Sequence, residues 1–289
     1  MITADKLQPL SAVKIGAQFQ VSSSATSYAI EVNPSPVWMR TSQCSWSQPA
    51  NMPLSGDEVH LWYSSLDLPA SSFQRLGATL DADERERTKG LCFDLERARF
   101  VVSHGLLRRI LGHYSGVEPN KLRFLYSTRG KPSLTEEFGE RRIQFSLSHS
   151  DGYVIYAFTL DHRIGIDLEH VVPIVESERI AARFFSGKEK AVLDTLAGNE
   201  RREAFFRIWT AKEAYLKACG QGLAFPLNRI ETIIDREGSI CSLGIKGIED
   251  DSRWSLEQFG PAPGFVASLI IEGSNFRVCR YSAQVDAST

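Results

Sequence analysis

Hydrophobic and polar positions follow two rhythms along this chain. A two-residue alternation over Glu58-Val-His-Leu-Trp-Tyr63 predicts a strand. From Asp81 to about Gly112 the period is helical, with Leu91, Leu95, Ala98 and Val102 on one face and charges between them. Asp81 or Asp83 offers an N-cap, and Gly90 a break into two helices. Short β-like runs follow at Leu122–Tyr126, Ile143–Ser148, Tyr153–Phe158 and Arg163–Glu169. Ser186-Gly-Lys-Glu189 has capping-box spacing, with Val192, Leu193 and Leu196 behind it. A longer helix is predicted from an Asn199 cap to about Cys219, where Gly220 and Gly222 stop it. Alternation returns at Ile230–Ile234, Trp254–Phe259, Phe265–Ile271 and Phe276–Tyr281.

Helices beside mostly antiparallel strands, occurring twice, predict an α+β class with halves at 57–161 and 162–289. Residues 1–56 are rich in Ser, Ala, Gln and Pro. Their charges are Asp5, Lys6, Lys14, Glu31 and Arg40, and a loosely structured N-terminal extension is expected there. They match neither a secretory signal nor an Arg-rich transit peptide. Hydrophobic residues at 43% and charged residues at 24% fit a folded domain and exclude a disordered chain. The apolar runs are too short to span a bilayer, so no membrane partner is expected. A net charge of −2 argues against gripping a nucleic-acid backbone, while permitting a local pocket for a small anion. Cys44, Cys92, Cys219, Cys241 and Cys279 form no CxxC pair, and the six histidines show no metal spacing. Neither a zinc site nor a disulfide framework is expected, and a cytoplasmic location fits.

Chemistry concentrates in four stretches. In Arg163-Ile-Gly-Ile-Asp-Leu-Glu169, apolar residues alternate with Gly165, Asp167 and Glu169, which puts two carboxylates on one strand face about 7 Å apart. Two readings stand: a solvated edge strand, or a divalent cation between the acids with Gly165 leaving room for a ligand. On the helix through residues 205–217, Phe205, Ile208, Leu216 and Cys219 lie near one side, Trp209, Glu213 and Lys217 form a stripe, and Lys212 lies beside it. Glu213 and Lys217 make either an ordinary helix pair or, with Lys212, a carboxylate beside phosphate-binding lysines. Gly130-Lys-Pro132 makes a turn that exposes Lys131, at a surface or at a ligand. Phe145-Ser-Leu-Ser-His-Ser150 ends a strand with Ser148 and His149 at its tip. No GxSxG elbow accompanies them, and a lone histidine there has a structural reading too.

In this order the stretches are specific. Gly165-Ile-Asp-Leu-Glu169 and Trp209-Thr-Ala-Lys-Glu-Ala-Tyr-Leu-Lys217, with Arg183-Phe-Phe-Ser186, Gly130-Lys-Pro132, Ser148-His-Ser150 and Gly220-Gln-Gly-Leu223 before Pro226, carry the likeness. The chain resembles the 4′-phosphopantetheinyl transferases of the surfactin-synthetase-activating type over about residues 59–281. The resemblance implies a monomeric pseudo-dimer of two similar α+β halves with the site in the cleft between them. It implies transfer of phosphopantetheine from coenzyme A to a serine of an apo carrier protein, with release of 3′,5′-ADP. By resemblance, Asp167, Glu169 and Glu213 bind Mg²⁺, and Glu213 or a metal-bound water is the base. Lys212 and Lys217 neutralise pyrophosphate oxygens, Lys131 lies by the adenine and ribose, and Ser148, His149 and Arg87 match coenzyme A contacts. Two positions depart from the family. Glu84 stands where a lysine is frequent and Phe100 where a threonine is expected, which leaves Arg97 or Arg99 for the 3′-phosphate. Fatty-acid, polyketide and non-ribosomal peptide systems all supply suitable carriers, and Phe184 and Phe185 are candidates for the docking surface. The competing readings are another Mg²⁺-dependent phosphoryl or nucleotidyl transferase and a non-catalytic carrier-binding module.

Overall fold

A computed structural model describes residues 28–32, 53–135, 142–220, 222, 225–234, 240–245 and 254–283. The chain is α+β and built as two similar halves, each with a 22-residue helix lying on a sheet. The first half holds β2 (Glu58–Ser65), α1 (Ala70–Gly77), α2 (Ala82–Lys89), α3 (Asp94–Ser115), β3 (Phe124–Tyr126), β4 (Pro132–Leu134), β5 (Ile143–Ser150) and β6 (Tyr153–Leu160). The second holds β7 (Ile164–His170), α4 (Ser177–Phe184), α5 (Gly187–Thr195), α6 (Gly198–Cys219), β8 (Ile230–Ile234), β9 (Ile240–Ile245), β10 (Trp254–Phe259), β11 (Phe265–Glu272) and β12 (Arg277–Ser282). Upstream of both, β1 (Tyr28–Val32) lies inside the expected N-terminal extension.

The strand order is β12-β2-β6-β5 in one sheet and β7-β11-β10-β1-β9-β8 in the other. Only the β1–β10 and β12–β2 pairs run parallel among the described strands. Two strands are therefore exchanged. β1 joins the sheet of the second half, and β12 joins that of the first.

Alternation in β7 explains the layering. Ile164, Ile166 and Leu168 pack between the sheets against Val59, Leu61, Ile155 and Ala157. The opposite face of the second sheet carries α6, whose Phe206, Ile208, Ala211, Ala214 and Tyr215 are buried in the core with Ile230, Leu243 and Leu256. In the first half α3 covers Trp62, Val154, Tyr156 and Phe158 in the same way.

Local signals set most helix ends. Asp81 and Glu84 form one capping box, and Ser186 and Glu189 another. The two long helices stop at Gly116 (φ 70°) and Gly220 (φ 65°), left-handed positions that favour glycine. The helical stretch over 81–112 is broken after Lys89, at the Gly90 signal, and the next helix, α3, starts at Asp94. Its buried side is consequently Val101, Val102, Leu106 and Ile110, while Leu95 in its first turn overhangs the core and is exposed. Asn199 is not the cap of α6, which starts from Ala197. Its side chain instead accepts from Arg202.

Candidate functional site

The two sheets meet along their edges, where β5 lies beside β7 without a backbone ladder. Three alternate serines of β5 bridge that seam. Ser146 Oγ accepts from the Ile166 N–H at 3.1 Å, and Ser148 Oγ donates to Asp167 Oδ1 at 2.8 Å. Ser150 Oγ donates to Glu169 Oε2 at 3.1 Å and accepts from the His170 N–H at 3.0 Å. The sequence reading names Ser148 as a site residue, includes Ser150 only within the Ser148-His-Ser150 motif and assigns Ser146 no role. The signal was present in the Ser-x-Ser-x-Ser spacing, which places all three on one strand face.

From the other side α6 delivers Lys217. Its Nζ donates to Asp167 Oδ1 at 2.7 Å, to Ile166 O at 3.0 Å and to Leu147 O at 3.3 Å, so one ammonium joins β5, β7 and α6. Glu213 sits one turn earlier on the same helix and is 8% exposed, whereas Asp167 and Glu169 are fully buried. Asp167 Oδ2 and Glu213 Oε1 are buried and receive no hydrogen bond from the described residues.

The helix reaches the strand this closely because of Gly165. A Cβ built there would lie 1.9 Å from the Ala214 carbonyl oxygen and 2.5 Å from the Ala218 nitrogen. The room that Gly165 leaves is filled by the α6 backbone, which corrects the expectation of space for a ligand. The three carboxylates are not gathered within 4.8 Å of one another; among the described residues the group that is comprises Glu58, His60 and Cys279. Like charges stay apart unless a cation lies between them, and here the Lys217 ammonium is seated on Asp167.

Other residues named from the sequence make contacts within the fold. Lys212 points into the core. It is fully buried and donates to Glu189 Oε2 at 2.6 Å, Phe184 O at 3.1 Å and Leu227 O at 3.1 Å, so its three donors serve the core. Glu189 in turn accepts from the Thr232 N–H and hydroxyl at 2.7 and 2.8 Å. Removing the ammonium would strand that carboxylate. Lys212→Ala is therefore expected to lower unfolding free energy by about 3–5 kcal/mol while leaving the coenzyme A affinity of the folded protein unchanged. Denaturant titration and calorimetric binding check the two halves of this expectation.

Lys131 Nζ donates to Ile164 O at 3.2 Å and Ala218 O at 3.3 Å, and burial lowers its pKa to about 8. The Gly130-Lys-Pro132 turn thus docks on the end of α6, with Lys131 directed at main-chain carbonyls rather than at an open surface. Arg99 forms a bidentate pair with Asp67 at 2.8 and 2.9 Å. Arg97 donates to Asp94 and to the Thr88 and Leu91 carbonyls. Glu84 is buried against Arg108 at 2.6 Å, so its carboxylate does not confront a ligand phosphate. Phe100 stacks on His104. Burial lowers the His104 pKa to about 4, and the nearby Arg87 and Arg108 guanidinium groups push it the same way. Arg87 lies over the Tyr126 ring, and His149 is exposed at the end of β5. Phe185 is buried against Phe205 in the core, while Phe184 packs edge-on to Trp209 and is half-buried.

Comparison with known proteins places this geometry. A 4′-phosphopantetheinyl transferase superfamily model matches residues 163–270, and a model of the N-terminal part of a 4′-phosphopantetheinyl transferase matches residues 68–160. The 4′-phosphopantetheinyl transferase HetI of Nostoc sp. (strain PCC 7120) is 40% identical over 232 residues, which are 80% of this chain and 95% of HetI. The 4′-phosphopantetheinyl transferase Sfp of Bacillus subtilis (strain 168) is 28% identical over 74% of this chain and 92% of its own. The acids and lysine at the β7–α6 contact thus stand within the matched 163–270 segment, and the chain belongs to the 4′-phosphopantetheinyl transferase superfamily.

Proposed function

We propose that this chain, acting as a monomer, transfers phosphopantetheine from coenzyme A to a serine of an apo carrier protein and releases 3′,5′-ADP, with Mg²⁺ as cofactor. The observation that carries the reading is the buried acid pair of β7, Asp167 and Glu169, joined to α6 through Lys217. In this reading the halves 57–161 and 162–289 face each other across β5 and β7.

The donor set fits the metal. Mg²⁺ takes hard oxygen ligands and commonly uses a few carboxylates with substrate phosphates and water. Asp167, Glu169 and Glu213 are buried carboxylates, and two of their oxygens, Asp167 Oδ2 and Glu213 Oε1, carry no hydrogen bond from the described residues. These residues would hold the ion, which when bound supplies positive charge to the pyrophosphate. The remaining work falls to the chain itself. Lys217, tethered to two main-chain carbonyls, holds its charge beside the acids, where it neutralises a pyrophosphate oxygen as a point charge. Ser148 and Ser150 fix the carboxylates that they donate to. Glu213, through the carboxylate oxygen it does not offer to the ion, takes the proton of the carrier serine hydroxyl as the serine oxygen attacks the β-phosphate and 3′,5′-ADP leaves. Arg87 and His149 contact coenzyme A phosphates.

The test is intact-mass analysis of an apo carrier protein incubated with the chain, coenzyme A and Mg²⁺. The expected result is a gain of one phosphopantetheine, lost when the metal is chelated. Glu213→Gln is expected to slow transfer by about 10²–10⁴-fold, the range for losing a general base, with an unchanged circular dichroism spectrum. Near-normal turnover in Glu213→Gln would remove Glu213 from the reaction, and turnover in chelator would remove the metal.

A further inference from the structure

We propose that Glu58, His60 and Cys279 form a second metal site, for a thiolate-binding divalent ion of the zinc class, separate from the carboxylates of β7 and α6. The three residues come from the first and last strands of one sheet. β2 and β12 run parallel with Glu58 opposite Arg277 and His60 opposite Cys279. Strand alternation puts Glu58 and His60 on one face, and the register brings Cys279 to the same place. Their nearest donor atoms all lie within 4.8 Å of one another.

The separations approach those of a tetrahedral ion. With bonds of about 2.0–2.1 Å to nitrogen and oxygen and 2.3 Å to sulfur, donors around zinc stand about 3.3–3.5 Å apart. His60 Nε2 is 3.4 Å from Glu58 Oε2, and Cys279 Sγ is 4.0 Å from Glu58 Oε1.

The second ring nitrogen of His60 is already oriented. Nδ1 lies 2.7 Å from Tyr114 Oη, which also accepts from the Trp62 indole N–H at 2.8 Å. A histidine ligand typically has its other nitrogen held this way, which fixes the ring and directs Nε2 at the ion. Tyr281 packs edge-on to the same imidazole. Glu58 and His60 are buried and Cys279 is half-buried, so a water can complete the coordination from the open side.

Charge and softness point to the metal class. One carboxylate and one thiolate balance a divalent ion, and the thiol proton leaves to solvent on binding. Arg277 sits on Glu58 with a largely exposed guanidinium, so a ligand using one carboxylate oxygen leaves the other for it. Sulfur and imidazole favour zinc or cobalt over Mg²⁺, which demands oxygen. Occupancy would pin β12 to β2. The sequence conceals such a site because its cysteine is 219 positions from its histidine, a difference read directly from their numbers.

The experiment uses the full, reduced chain and Co²⁺ as a spectroscopic probe. One equivalent should produce a near-ultraviolet thiolate-to-cobalt charge-transfer band that Zn²⁺ bleaches and excess Mg²⁺ does not. Cys279→Ser should remove the band and weaken Co²⁺ binding more than tenfold, while Cys92→Ser, at an exposed position, should keep both. Phosphopantetheinyl transfer should be unchanged in each variant, which separates this site from the proposed reaction. In the wild type Zn²⁺ should protect Cys279 from alkylation, read by peptide mass, and this serves if Cys279→Ser misfolds. Absence of the band in the wild type, its persistence in folded Cys279→Ser, or unprotected Cys279 in saturating Zn²⁺ overturns the proposal.

Discussion

Gly165→Ala is expected to abolish phosphopantetheinyl transfer and to lower the thermal midpoint by about 10 °C, the shift for a loss of a few kcal/mol in a chain of this size. The added methyl would stand 1.9 Å from the Ala214 carbonyl oxygen and 2.5 Å from the Ala218 nitrogen. Both atoms are main chain, so no rotamer relieves the overlap. Helix α6 would have to move away from β7 by more than an ångström. That displacement would carry Lys217 off Asp167, now at 2.7 Å, and take Glu213 with it. Differential scanning calorimetry and the intact-mass assay measure the two effects. A variant with wild-type melting and turnover would show that the close approach is dispensable.

Asp167→Asn should cut kcat/KM at least a hundredfold with a smaller cost in stability, about 1–3 kcal/mol. The amide oxygen preserves the acceptor for Ser148, which lies at 2.8 Å, but removes the negative charge. Lys217 keeps its carbonyl contacts to Leu147 and Ile166 and is partly exposed, so its stranded charge is partly hydrated. The double variant Asp167→Asn with Lys217→Ala separates structure from chemistry. Taking away the unpaired ammonium should recover part of the stability while transfer stays lost. Recovery of transfer in the double variant would mean that Asp167 serves only to neutralise Lys217.

Much of the site was legible in the sequence because strand alternation and helix spacing are short-range rules. Asp167 and Glu169 share a face as the two-residue period requires, and Lys217 follows Glu213 by one turn. What alternation could not convey was the surroundings. Lys212 and Glu213 are neighbours in the chain, yet Lys212 is matched to Glu189 of α5, and only the packing of α5 on α6 decides that. Glu84 read as a charge opposing a phosphate because Arg108, 24 positions away, was not visible as its partner. The short helices α1 and α4 were missed because 8 residues hold too few periods for a pattern to register. The strands β1, β4 and β9 were missed as well, and β1 lies in a polar stretch that takes its identity from the strands on either side of it.

The exchange of β1 and β12 bears on how the chain is made. As it leaves the ribosome, β1 must wait for β9 and β10, more than 200 positions later, before it can be seated. The sheet that starts with β2 likewise lacks its outer member until residues 277–282 emerge. Neither sheet can be completed before these late strands have emerged, and pairing across such separations is slow. Until those late strands arrive, each sheet lacks a member that its neighbours need for pairing.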